Sequence, residues 1–211
     1  MTDTDSTLAR GTAAISALMT QNRDLLVRLD QVSGDGDLGI SMDEGFQAFA
    51  AYVAEQDPAR TDLAELFRQG AKVLNAAAPS SLGTILSFGL MGIARSLRGR
   101  GTVDAADVAD AFDAGIANIM AKAGSKPGEK TVLDALVPAA DALRAALDAG
   151  ADLAGAARQA AAAAAEGSEA TTRMMAVHGR AAYSAQRSIG VLDGGSVVGK
   201  LIVEGAAGAV G

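Results

Sequence analysis

Three aspartates, Asp30, Asp35 and Asp37, fall close together, and Gly34, Gly36 and Gly39 are interleaved with the last two in the stretch Ser33-Gly34-Asp35-Gly36-Asp37-Leu38-Gly39. Carboxylates are the oxygen donors a hard divalent cation requires, and Mg2+ takes only a few of them, leaving its other positions to water and phosphate. The glycines let successive side chains converge and bring backbone N–H groups close to a ligand. A helix starting between Gly39 and Met42 adds free N–H donors and a positive dipole end. The same residues are also ordinary turn formers, and Asp37 stands where it could cap that helix. On this loop alone, the metal-and-phosphate reading and the turn-and-cap reading are level. Two others fall away. The Gly34-x-Gly36-x-x-Gly39 spacing is that of a dinucleotide-binding turn, but no strand precedes it. An EF-hand counted from Asp35 places Phe46 where a bidentate glutamate is needed.

The elements that must position this loop are helical. Leu8, Ile15, Leu18, Met19, Leu25, Leu26 and Leu29 recur at helical spacing, with Thr7 or Ser6 as the expected N-cap and Gly11 weakening the first turns. Ile40, Met42, Phe46, Phe49 and Val53 restart the period up to Asp57-Pro58. A third helix is expected from about Thr61, as cap, to Pro79. The uncharged run from Leu82 to Arg95 predicts a central helix over 82–97, buried on most sides. Further helices are expected over 103–121, 131–149, 151–166 and 170 to about 187, with a tail from about Ser196. Residues 196–203 are the only candidate strand, and they fit a helix equally. The alanine run 160–165 reads as a tightly packed or surface helix. Short links between such helices imply antiparallel neighbours, so the expected fold is all-α, an up-and-down bundle or closed barrel of about eight helices.

The 211 residues, 49% hydrophobic, are enough for one domain with a sizeable core, so residues 1–211 are read as a single domain. A net charge of -7 gives no basic face for nucleic acid, and aromatics at 3% give no stacking platform for bases. There is no cysteine, which removes disulfides and thiolate metal sites. No apolar run reaches the roughly 20 residues a membrane span needs, and the polar, acidic start is unlike a signal peptide. A soluble, cytoplasmic protein is the expectation.

Three further loops share the character of the first. Ala78-Pro79-Ser80-Ser81-Leu82-Gly83-Thr84 places two hydroxyls at a helix start, where they cap it or meet a phosphate. Lys126-Pro127-Gly128-Glu129-Lys130-Thr131 turns into Val132-Leu133-Asp134-Ala135-Leu136. Gly179-Arg180-Ala181-Ala182-Tyr183 and Arg187-Ser188-Ile189-Gly190 lead to Leu192-Asp193-Gly194-Gly195-Ser196. In this order and at these separations the loops resemble the nucleotide-binding L subunit of dihydroxyacetone kinase, over nearly the whole chain.

That resemblance implies an eight-helix antiparallel barrel that binds ADP or ATP with two Mg2+ ions in loops at one end. It implies Asp30, Asp35 and Asp37 as metal ligands. It places Leu38, Gly39, Ile40 and Ser41, then Ser80 and Ser81, at the phosphates, and Ala123 and Val132 at the nucleotide, Val132 against the adenine. Arg180 with Asp193, Gly194 and Gly195 would close over it. The implied activity is phosphoryl transfer to a small ketose held by a separate K-type subunit. The donor is ATP, or bound ADP rephosphorylated by a phosphohistidine protein of the phosphoenolpyruvate phosphotransferase system. A homodimer is a further partner option. A nucleotide-holding adaptor that engages a transcription regulator is the alternative. His178, the sole histidine, is read as a solvent-facing or packing residue.

The chain departs from the family pattern in three places. Leu38 stands where a histidine is common, the Ser80-Ser81 loop is short, and Asp193-Gly194-Gly195 replaces Asp-Pro-Gly, exchanging a fixed φ for a free one.

Overall fold

The structure is a computed structural model. It describes residues 3–32, 34–57 and 62–210, without the side chains of residues 3–6 and 184. Eight α-helices account for most of it: α1 Asp3–Gln31, α2 Leu38–Ala54, α3 Leu63–Ala77, α4 Ser81–Ser96, α5 Ala105–Ala123, α6 Leu133–Asp148, α7 Leu153–Ala170 and α8 Gly194–Ala209. Each packs against its neighbours in sequence, and α8 returns to pack on α1, so the helices form a closed ring. Alternating directions put the starts of α2, α4, α6 and α8 at one rim and those of α1, α3, α5 and α7 at the other. No described helix is long and apolar enough to cross a membrane.

The core is aliphatic and alanine-rich, built on Met19, Leu26, Met42, Leu74, Leu133 and Val198, all almost fully buried. Small residues let the staves close up. A side chain at Gly205 would run into Ile15 across the α8–α1 seam, and one at Gly92 would meet Gly115 Cα at 2.8 Å across α4–α5. In α7 the buried residues Ala156, Ala160 and Ala164 recur every fourth position, so the alanine run is a packing face. A cavity of about 780 Å3, lined by residues including Phe46, Phe67, Leu86 and Phe112, remains inside the ring.

Several expectations are corrected. The segment 82–97 is one stave between α3 and α5, and its glycines Gly83, Gly89 and Gly92 serve those seams; it is not a central helix. Helix α1 is already under way at Asp3, so neither Ser6 nor Thr7 starts it. Asp62 caps α3, accepting from Ala64 N at 2.8 Å, and Thr61 lies outside the described residues. Helix α6 begins at Leu133 and not at Thr131. The largest difference is the expected helix 170–187: α7 already covers residues 153–170, and a long connection follows, with 3-10 turns at Thr171–Arg173 and Arg180–Ser188. The eighth helix is therefore the C-terminal one, capped by Asp193 and starting at Gly194 instead of Ser196. Residues 196–203 are helical.

Candidate functional site

The loop from α1 to α2 is shaped by contacts that leave its carboxylates grouped. Gly36 takes φ +81°, where a side chain is strained, and its N–H donates to Asp30 Oδ2 at 2.7 Å. A side chain at Gly34 would strike the Asp30 carboxylate, so only glycine lets the backbone pass over it. The result is that Asp30, Asp35 and Asp37 each present an oxygen within 4.8 Å of the others. An all-oxygen, three-carboxylate set of this size suits a hard divalent cation.

The electrostatics agree. Asp37 is pushed above the usual carboxylate range by partial desolvation and by the negative charges of Asp35 and Asp30. Asp35 is held below it, chiefly by the hydrogen bond from Arg180, whose Nη1 lies 2.6 Å from Asp35 Oδ2. Crowded anions of which one resists ionisation are what a cation relieves. The capping alternative for Asp37 is not realised. It occupies the N-cap position of α2, but its backbone is helical (φ -89°, ψ -12°) and its side chain makes no cap bond. The first N–H groups of α2, on Leu38, Gly39 and Ile40, therefore face the rim without a carboxylate cap.

A second helix start lies beside the first. Ser80 caps α4, accepting from Gly83 N at 3.1 Å, and the same oxygen accepts a hydrogen bond from Ser41 at 2.8 Å. That hydroxyl bridge ties the starts of α2 and α4 together. Ser80, Ser81 and Ala123 share the lining of an open cavity of about 480 Å3 with Ile85 and Phe88. Val132 is elsewhere: it is buried in the core, against Gly195 and Gly199 of α8. Asp193 is half-buried, where it caps α8 by accepting from Ser196 N at 2.6 Å, and desolvation pushes it up to about 6. Gly194 and Gly195 form the first turn of α8. Leu38, the unusual residue after the third aspartate, lies against Gly194, where an added Cβ would come within 2.6 Å of its tip.

His178 is exposed and paired with Glu129, Nε2 to Oε2 at 2.5 Å, and that bond holds the Glu129 carboxyl below its ordinary value. Thr171 was given no role by the sequence, yet it is fully buried at a junction, accepting from Asp193 N and donating to Ser168 O. A threonine after an alanine run carries no signal for this, since the Asp193 N–H it accepts from is placed only by where α8 lands.

A closed helical ring with an acidic loop and two serine-linked helix starts at one rim defines the class. The chain belongs to the DAK2 domain family, whose model matches residues 32–208, with Asp35 and Asp37 inside the match and Asp30 two residues before it. It is 30% identical over 182 residues to the ADP-binding subunit of a PEP-dependent dihydroxyacetone kinase from Listeria innocua, covering 86% of this chain and 85% of that one. It is 28% identical to an L-erythrulose kinase from Pectobacterium atrosepticum, over 90% of this chain but only 33% of the kinase. Among solved structures it resembles the dihydroxyacetone kinase of C. freundii in complex with AMP-PNP and Mg2+, with a TM-score of 0.73 and 22% identity over 95% of this chain and 33% of that one. The all-helical fold is thus that of the L-type domain.

Proposed function

We propose that the chain is the nucleotide- and Mg2+-binding subunit of a dihydroxyacetone-type kinase, serving phosphoryl transfer to a small ketose held by a K-type partner subunit. The observation that carries this is the convergence of Asp30, Asp35 and Asp37 beside the uncapped start of α2. Kinase relatives matched over most of this chain support it, the Listeria protein by its ADP-binding description.

In this reading Asp30, Asp35 and Asp37 would hold two Mg2+ ions. Such ions, when bound, neutralise phosphate charge and stabilise the transferring group. The chain's own groups do the rest. Gly36 N–H fixes the orientation of Asp30. Backbone N–H groups of Leu38, Gly39, Ile40 and Ser41 and the hydroxyls of Ser80 and Ser81 bind phosphate oxygens, aided by the α2 and α4 dipoles. The cavity with Ala123 and Phe88 takes the adenine of ADP or ATP. Arg180, paired with Asp35 at the edge of the cluster, is the cationic side chain that would pair with phosphate charge. No covalent nucleophile is required, which accords with a histidine engaged by Glu129. Val32, Ile40, Met175, Val177, Tyr183 and Ile189 are exposed apolar side chains on the loops and helix starts of this rim, Tyr183 at 92%, and would meet the partner. The donor is either ATP or a phosphohistidine protein that recharges bound ADP.

Calorimetry of ADP with and without Mg2+ tests the binding step, followed by transfer to dihydroxyacetone once a K-type subunit and each donor are supplied. Mg2+-dependent ADP binding and transfer with one donor are expected. Binding indifferent to Mg2+ would remove the metal assignment, and binding without transfer under every donor would favour the adaptor role.

A further inference from the structure

Lys130 is buried, exposed by only 7%, and its ammonium faces backbone carbonyls. It donates to Thr171 O at 2.6 Å, Ser188 O at 2.8 Å and Val191 O at 2.5 Å, with Met174 O at 3.4 Å. These oxygens belong to the two ends of one connection, the stretch between α7 and α8. The ammonium has three protons, so three short bonds and one longer contact saturate it.

The same base is closed by Gly190 N to Thr172 O at 2.7 Å and by Ala176 N to Ser188 Oγ at 2.9 Å. Its tip carries Arg180, which reaches Asp35. Lys130 itself has φ +61°, the only positive value among the described non-glycine residues. Such a conformation is held only where the surroundings over-determine it. Here Asp134 accepts from Gly128 N and Thr131 N on either side, and Val177 N donates to Glu129 O. Burial lowers the ammonium's pKa, and the nearby charges of Asp193 and Asp134 act against that.

We infer that Lys130 is a positioning residue for phosphoryl transfer: by gathering the carbonyls at the base of the 171–191 connection, it holds the loop that delivers Arg180 to the carboxylate cluster. This rests on the kinase reading. Without the ammonium the loop loses its neck while the α1–α2 loop and the α4 start, built from other elements, remain. Nucleotide binding and loop order should then separate.

Lys130→Met keeps the side chain's length and removes its charge. The variant is expected to retain its helix content and to bind Mg-ADP within about threefold of the parent, while proteolysis and amide exchange within 174–190 rise at least tenfold. In the reconstituted kinase its turnover should fall at least tenfold with little change in nucleotide affinity, and Lys130→Arg should restore part of it. Arg180→Gln, costly in the parent, should add little to Lys130→Met. Unchanged exchange in 174–190, or an equal cost of Arg180→Gln in both backgrounds, would overturn the inference. Should Lys130→Met fail to fold, the parent protein decides: amides of Ala176 and Gly190 must exchange far more slowly than those of 180–187, and equal rates would overturn it. Absence of Mg-ADP binding in the parent would instead overturn the kinase reading, a result that a failed clamp does not produce.

Discussion

The two rims of the ring use the same residue at the same kind of position for different ends. At the far rim Asp62, Asp104 and Asp152 begin α3, α5 and α7 with extended backbones, and each side chain accepts from a first-turn N–H. At the site rim Asp37 begins α2 with a helical backbone and accepts none. An N-cap needs extended ψ to swing its carboxylate over the turn, so Asp37 is held in a conformation that withholds the cap and turns its oxygen to Asp30 and Asp35. The far rim is also laced by exposed ion pairs, Arg144 with Asp110 and Asp113 among them, each of which contributes little. The site rim leaves three acids together with Arg180 as their ion-pair partner. Where an aspartate stabilises the fold, its charge is satisfied locally; where it serves the site, its charge is left over.

The contrast can be broken most forcefully at Asp37. Asp37→Asn is expected to weaken Mg-ADP binding by about a thousandfold, roughly 4 kcal/mol, while the metal-free protein becomes no less stable because a repelled charge is gone. Calorimetry alongside urea unfolding measures both, and a stability loss with intact binding would make Asp37 a cap like the others.

Asp193 sharpens the comparison, being a true cap at the site rim. Its folded value of about 6 lies above the ordinary 3.8. The contribution it makes is therefore complete below the unfolded value and is lost as pH rises through about 6, an effect of at most about 3 kcal/mol. Unfolding measured between pH 4 and 7 should show stability falling across that window, and Asp193→Asn should flatten it. At the far rim, Asp104→Ala removes half of a capping box and should lower stability by about 1 kcal/mol with ADP affinity unchanged. The smallest effect is expected at Gly194→Ala, whose new methyl must displace the flexible tip of Leu38. A shift in ADP affinity of no more than about threefold is expected, and Leu38→Ala should cancel it.

Much of this was legible beforehand, for local reasons. Seven of the helices follow from apolar spacing that any window of sequence exposes, and the aspartates stand out because glycines separate them. What was missed is nonlocal. Residues 171–191 carry helix-forming alanines and arginines, yet the stretch is not an α-helix, because Lys130, some forty positions earlier, claims carbonyls that an α-helix would need. Nothing near Lys130 distinguishes it from a solvated lysine. Likewise Leu38 and Gly194 look like separate departures from the family pattern until the fold sets one against the other.

The seam between α8 and α1 has a kinetic meaning. Apart from the packing of α8 on α6 and a slight contact of α2 with α4, the other packed pairs are consecutive in sequence and can dock as the chain grows, with little loop entropy to overcome. The final pairing, marked by Gly205 on Ile15 and by Arg10 donating to Ala209 O at 2.9 Å, joins residues nearly two hundred positions apart. Asp193, Gly194 and Gly195 arrive with that same helix. Ring closure and completion of the rim are thus expected to coincide, as the step with the largest loop to close.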